Sequence, residues 1–340
     1  MQEDNKISSN LNNLIKFSNI MKVIKSNVSI LEQEPGITGM YKHIERVGRV
    51  AYKSEDRITD DSWEKFVEML YKKGHHAVFN LGTVYLMIPK QGNESIIDNL
   101  KSTAPWTTWE EKNALVLFTT NYRVICQLGY INVMRNFWCE PTEDHYHRVT
   151  AHWTCSRSIA TEILRHRVLC PVMESTRYVL YSKEKFGGEL NFILPQWVYK
   201  VRDEIGNTVD SLTGESMKYI LELDGNELWK ELCCLDRTVS SRDNFWRAAE
   251  EEYMYEVTTD EGERLTAQDA RDSLPLGLAC ELFTTGYVKD WIYKNPNPES
   301  NPEKAGFFNL RCASDAHPDI RVLAQDLKAQ FVKTGIIDLK

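Results

Sequence analysis

Polar and apolar positions along the chain mark out a mixture of strands and helices. Val23 to Leu31 reads as a strand, ended by Glu34-Pro35-Gly36. Helical spacing runs from Met40 to Tyr52, and Asp60 or Asp61 can cap a second helix that ends at Gly74. Thr83 to Ile88 is rich in β-formers and stops at Pro89, and Leu115 to Thr119 is similar. The polar stretch 91–112 between them reads as an excursion, and Asn121 to Leu128 as a short helix. Arg148 to Arg165 is read as a long helix, with Trp153, Ile159 and Ile163 on one side and Arg157, Thr161 and Arg165 on another. Leu190 to Leu194 reads as a strand and 212–256 as mostly helical. A capping box at Thr266 and Asp269 opens a helix to Leu274. Ala279 to Thr285 fits a strand or a buried helix, and Pro318 starts a final helix through Phe331. Strands and helices interleave without regular βαβ spacing. The expected class is therefore α+β, a mixed sheet flanked by long helices.

The 340 residues and a 42% hydrophobic fraction allow one large domain, placed at 21–340. Residues 1–20 are polar, lack the apolar centre of a signal peptide, and read as a loose extension. The net charge of −8 argues against a nucleic-acid binder, which would carry a basic face. No apolar run is long enough to span a membrane. Eight cysteines with no CxxC pair read as reduced, mostly buried thiols of a cytoplasmic protein, the vicinal Cys233-Cys234 among them.

Chemistry concentrates in RHRVLCPVMESTRY. Arg165, His166 and Arg167 stand in a row, and Ser175 and Arg177 follow the break at Pro171. A basic run alone is usually a solvated helix end. Here two more groups suited to phosphate oxygens follow closely, which favours an anion site. Arg271 and Arg311 are further isolated cations downstream. Cys139, His145 and His147 match no standard zinc spacing, so no metal is expected. Cys170 has no activating neighbour in sequence and reads as buried. There is no Gly-rich phosphate loop and no GxSxG elbow.

The run Arg165-His166-Arg167, seven residues, Ser175, then Arg177-Tyr178 resembles the signature of the flavin-dependent thymidylate synthases. Gly74-His75 through Leu86 resembles the family's GHxxxxEH region before a strand. Ala270-Arg271 with Leu274-Pro275 resembles its ARxxLP segment, and Phe308 to Arg311 its FxLR segment, followed by Ala316 to Arg321. The resemblance implies that family's α+β fold and a homotetramer whose active sites are shared between subunits. It implies dUMP as substrate, 5,10-methylenetetrahydrofolate as one-carbon donor, and FAD reduced by NADPH as hydride source. By resemblance, Arg165, His166 and Arg167 contact the flavin, with Arg165 also near the nucleotide. Thr83 and Tyr287 fall at further flavin contacts. Ser175 and Arg177, with Glu174 alongside, fall at the dUMP phosphate, and Glu162 and Arg271 at other nucleotide contacts. Arg311 resembles the catalytic arginine that stabilises negative charge on the pyrimidine.

Some positions depart from the pattern. The family's Glu-His before its strand stands here as Asn80-Leu81, so a flavin-side histidine is replaced by leucine. Val172-Met173 replaces an Asn-Glu pair, Tyr287 replaces an Asn, and the loop 294–306 is long. These changes leave two alternatives beside thymidylate synthesis. One is a related flavin enzyme alkylating another pyrimidine nucleotide; the other is a non-catalytic nucleotide- or flavin-binding relative.

Overall fold

A computed structural model describes residues 21–182, 188–209, 214, 216–258, 265–292 and 306–338. The segment 1–20 and all but the last residue of loop 294–306 lie outside the described residues. In chain order the elements begin with β1 (Lys22–Ile24), β2 (Asn27–Leu31), α1 (Gly36–Ala51), α2 (Ser62–Lys72), β3 (Thr83–Pro89), α3 (Glu94–Lys101), β4 (Thr108–Lys112), β5 (Leu115–Asn121), α4 (Tyr122–Leu128) and α5 (Ile131–Phe137). They continue with β6 (Arg148–Ser156), α6 (Arg157–Ile163), β7 (Cys170–Met173), β8 (Asn191–Ile193), α7 (Trp197–Gly206), α8 (Gly225–Leu235), α9 (Arg237–Val257), α10 (Ala267–Ala270), β9 (Ala279–Tyr287), α11 (Val288–Ile292), α12 (Phe307–Arg311) and α13 (Pro318–Lys333). The class is α+β, as the interleaved pattern predicts.

The described residues divide into two compact units, those within 1–26, 154–160 and 175–280 in one and those within 27–153, 161–174 and 281–340 in the other. In the first, β1 and β8 pair in parallel with Val23 opposite Phe192. Its core stacks Phe192, Trp246 and Trp229, with ring centroids 4.6 and 4.8 Å apart. Asp236 separates α8 from α9. Its carboxylate accepts from the Thr238 and Val239 amides at 2.8 and 2.9 Å, an N-cap that starts α9 where α8 stops.

In the second unit, β3, β5 and β4 form an antiparallel sheet with β5 central. A four-stranded sheet has the order β2-β6-β9-β7. Its edge strand β2 is covered by α13, where the Gln330 amide accepts from the Ile30 N–H at 3.1 Å and donates to the Val28 carbonyl at 2.9 Å. A glutamine thus supplies the pairing that an edge strand lacks. Trp153, Trp291, Phe307 and Phe331 are all fully buried against one another. This aromatic cluster seats α11, α12 and α13, and so fixes the helix that ends in Arg311.

Five sequence expectations are corrected. Arg148–Ser156 is a strand and not the first half of a long helix, which shrinks to Arg157–Ile163. β6 carries the period of two that marks a strand: Val149, Ala151, Trp153 and Cys155 are apolar and buried, and Arg148, Thr150, His152, Thr154 and Ser156 are the polar positions between them. Helical spacing belongs only to the residues after Ser156. The strand expected over Val23 to Leu31 breaks into β1 and β2, which join different sheets. The excursion at 91–112 contains α3 and β4. Ala279–Tyr287 is a strand. Thr266 donates its hydroxyl to Asp269 and no side chain caps α10, which spans only Ala267–Ala270. Cys233 is half-buried but Cys234 is exposed, so the vicinal pair is not a core pair.

Candidate active site

The basic triplet follows α6 in a tight turn, in which the Arg165 and His166 amides donate to the Glu162 and Ile163 carbonyls. The turn points its members in different directions. Arg165 and Arg167 are exposed and His166 is half-buried against the Phe307 ring, with centroids 4.8 Å apart. Among the described residues no carboxylate lies within ion-pair distance of Arg165 or Arg167, which leaves both guanidinium groups open to an anionic ligand.

Arg311, the last residue of α12, reaches the same turn across 145 positions of sequence. Its Nε donates to His166 Nε2 at 2.8 Å. Its two terminal nitrogens donate to Glu162, to Oε2 at 2.8 Å and to the backbone carbonyl at 3.2 Å. Three of the five N–H donors an arginine carries are thereby used, and two remain. Because His166 Nε2 accepts, the ring proton is assigned to Nδ1. Burial, and then the Arg311 charge, lower the His166 pKa from 6.5 to about 4. His166 is therefore neutral at physiological pH, and Glu162 is the counter-ion that holds the arginine in place.

Glu174, which precedes the motif serine, is 2% exposed and sits 3.2 Å from the ammonium of Lys53. Glu281 on β9 completes the group at 2.8 Å from the same ammonium and accepts from His152 Nε2 at 3.1 Å. Burial alone would raise Glu281. The His152 hydrogen bond and the Lys53 charge outweigh it and hold the carboxyl at about 2. For Lys53, burial is likewise outweighed, by the charges of Glu174 and Glu281, and its pKa is raised.

A cavity of about 270 Å³ opens between the β2–α1 loop and the starts of β3 and β6. Thr83, Tyr85, Trp138, His147 and Arg148 line it. Thr83 is fixed from both sides by Gln33, whose amide accepts from its N–H at 2.8 Å and donates to its carbonyl at 2.9 Å. Arg148 donates to the Asn80 carbonyl at 2.7 Å and to Thr83 Oγ1 at 3.3 Å, and its guanidinium lies 5.6 Å from the Tyr287 ring centroid. Its hydrogen-bond partners among the described residues are all neutral. It is thus a half-buried cation facing a cavity, with no carboxylate in direct ion-pair contact among the described residues, although Glu32, Glu34 and Glu140 line the same cavity and Asp290 feels its charge.

Tyr287 is buried, with its hydroxyl 2.8 and 3.0 Å from the Thr119 and Trp106 carbonyls. Leu81 is fully buried in the apolar core, so this position faces packed side chains rather than a ligand. In the first unit Ser175 Oγ accepts from the Arg177 amide at 3.4 Å, and Arg177 Nε donates to Gln268 at 3.0 Å. Arg271 is exposed, with Asp272 at 3.9 Å. Cys139 Sγ lies 3.6 Å from His145 Nε2, but no three His, Cys, Asp or Glu side chains among the described residues converge in metal-ligating range. Cys170 is buried, and burial raises its thiol pKa.

The structure thus joins Glu162, His166 and Arg311, and separately gathers Thr83 and Tyr287 around Arg148. Sequence reading singled out neither Arg148 nor Lys53. The first stands at a strand start in the span read as helix, and the second just past a helix end. Neither lies in a recognisable spacing. Arg157, read from sequence only as part of a polar helix face, has one guanidinium nitrogen buried with no hydrogen-bond partner among the described residues. Among those residues, too, no helix is long and apolar enough to cross a membrane.

A family model described as thymidylate synthase complementing protein matches residues 143–334. That span contains β6, the basic triplet, Ser175, Arg177, Arg271 and Arg311, while the Gly74-to-Leu86 segment lies before it. Two solved structures of a UMP/dUMP methylase, PolB from Streptomyces cacaoi, are similar at 13% identity over 92% of this chain. The one bound with 5-Br dUMP is covered over 92% of its own chain with a TM-score of 0.35, and the one bound with 5-Br UMP over 91% with 0.37. That likeness is too slight to carry an argument. No curated protein matches the chain.

Proposed function

The chain belongs to the thymidylate synthase complementing protein family, and on that footing we propose that it methylates dUMP to dTMP as a flavin-dependent thymidylate synthase. The observation that carries the reading is Arg311, an arginine pinned by Glu162 and His166 at the basic triplet with two N–H donors to spare. A cation fixed in advance stabilises charge that develops on a substrate without reorganising during the reaction. Arg311 is assigned that role at the pyrimidine ring. Glu162 orients it, and neutral His166 accepts its Nε proton without adding a competing positive charge.

Phosphate binding is assigned to Ser175 and Arg177, with Glu174 alongside, and further nucleotide contacts to Glu162, Arg165 and Arg271. Exposed guanidinium groups suit this, since a phosphate takes bidentate Arg contacts. In the family's arrangement the sites are shared between subunits of a homotetramer, and the same is proposed here, with 21–340 acting as one functional domain.

Arg165, His166, Arg167, Thr83 and Tyr287 are assigned to the flavin. The Arg148 cavity supports a flavin ring nearby. It combines aromatic walls at Tyr85 and Trp138 with the Arg148 guanidinium, whose direct hydrogen-bond partners among the described residues are neutral, a combination suited to a planar ring with carbonyl edges. Its volume fits a ring system and not a whole dinucleotide. When bound, FAD reduced by NADPH supplies the hydride, and 5,10-methylenetetrahydrofolate supplies the one-carbon unit. No cysteine nucleophile is required, and Cys170 and Cys155, buried with thiol pKa values raised, supply none. Cytoplasmic residence accords with such an enzyme.

The reading is tested by incubating the purified flavoprotein with NADPH, the folate and dUMP and following dTMP by chromatography. Product formed from dUMP supports it. Product formed from a different pyrimidine nucleotide only, or bound flavin without any turnover, overturns it in favour of one of the alternatives.

A further inference from the structure

Lys53 occupies a backbone position that ordinarily belongs to glycine. Helix α1 ends in a double closure, with the Lys53 amide donating to the Val50 carbonyl and the Ser54 amide to that of Arg49, both at 3.1 Å. This motif puts the residue after the helix cap in the left-handed region, where a side chain is unfavourable and glycine is usual. Lys53 has a φ of 46°. A lysine kept there suggests that its side chain is used, and it is: the ammonium bridges Glu174 Oε2 at 3.2 Å and Glu281 Oε2 at 2.8 Å. The two acids are also joined through their backbones. The Glu174 amide donates to the Glu281 carbonyl at 2.8 Å, and the Glu281 amide reaches Glu174 Oε2 at 3.3 Å. His152 on β6 holds the other oxygen of Glu281. One ammonium thus ties the end of α1 to both β7 and β9, at the residue immediately before Ser175.

We propose that Lys53 is a positioning residue for the phosphate-binding segment: by clamping Glu174 and Glu281 together it fixes where the chain leaves β7, and thereby where Ser175 and Arg177 are presented. This rests on the reading of those two residues as phosphate contacts. Without the ammonium, a buried carboxylate and a half-buried one would face each other across β7 and β9, and their repulsion would loosen the strand end that carries the motif.

The test compares the full-length protein with Lys53→Met, Lys53→Gly and Lys53→Arg, using hydrogen exchange over 174–178 and calorimetric titration with dUMP. Lys53→Met should exchange faster over 174–178 and bind dUMP about tenfold more weakly, the size of one lost charge-assisted contact. Lys53→Gly should do the same although it relieves the backbone, while Lys53→Arg should restore both readings. A lower melting temperature with unchanged exchange and unchanged dUMP affinity would make Lys53 merely structural and overturn the proposal. If Lys53→Met does not fold, the double variant Lys53→Met/Glu281→Gln removes one charge of each sign and is read by the same two outcomes. Should the wild type itself not bind dUMP, the nucleotide reading fails, and the exchange of 174–178 alone decides whether the clamp exists.

Discussion

Replacing Arg311 with alanine removes a guanidinium that makes three hydrogen bonds and leaves His166 with burial as the main influence on its titration. Lowering an imidazole from 6.5 to about 4 corresponds to roughly 3 kcal/mol against the charged form. Burial is the larger of the two causes and persists in the variant. Less than half of that energy should therefore be released, and His166 should titrate at no more than about 5. Carbon-labelled histidine followed by NMR across pH 3 to 8 reads this directly. In the same variant dTMP formation should fall about 100- to 1,000-fold in kcat, the usual effect of deleting one fixed donor to developing charge, while bound flavin is retained. If His166 stays at its wild-type value, Arg311 does not act on it electrostatically. A rise to 6.5 would mean that burial contributes little. Unchanged dTMP formation would remove Arg311 from its assigned role.

Acid should destabilise the fold through His43 as well as His166. Burial lowers His43 to about 4, so the unfolded chain takes up protons that the folded one refuses. Stability should fall as pH drops from 6.5 to about 4, by up to roughly 3 kcal/mol per histidine, and His43→Gln should flatten the slope of urea midpoints across that window. Gly39→Ala would place a methyl 2.1 Å from the Glu34 carbonyl oxygen in the loop that walls the cavity. It should cost about 1–3 kcal/mol and weaken flavin retention, and a wild-type melting temperature would refute the crowding. Leu81→His, which sequence alone presents as the return of a flavin-side histidine, should instead destabilise by about 2–5 kcal/mol, because it replaces a fully buried apolar side chain with an unpartnered imidazole. A gain in activity at unchanged stability would show that the position faces the ligand.

The linear parts of the site are legible in sequence because their chemistry is contiguous. Arg165, His166 and Arg167 sit in one turn, and Arg311 closes the short Phe308-to-Arg311 segment, which the structure shows to be the helix α12. What sequence hides is convergence. Lys53 and Glu281 stand 228 positions apart, and no local spacing brings them together. The same holds for elements whose pattern is overridden by context. β6 runs straight into α6 with no Gly or Pro between them, so a helical reading of 157–165 extends backward over a segment whose own alternation marks a strand. β4 is an edge strand whose charges disguise it. Its Glu111 pairs with Lys90 and Lys101 at 2.9 and 2.6 Å, a placement that protects an exposed edge and makes the segment look like loop. α3 left a fainter trace, Ile96, Ile97 and Leu100 at helical spacing within a polar stretch.

The account stands or falls on whether hydrogen leaves C5 of the uracil ring when a one-carbon unit replaces it. The direct measurement is tritium release from dUMP labelled at C5, with purified protein, NADPH and 5,10-methylenetetrahydrofolate. Release that requires both co-substrates and is lost in Arg311→Ala is the expected result. A flavin-loaded protein that oxidises NADPH yet releases no tritium from dUMP would contradict it.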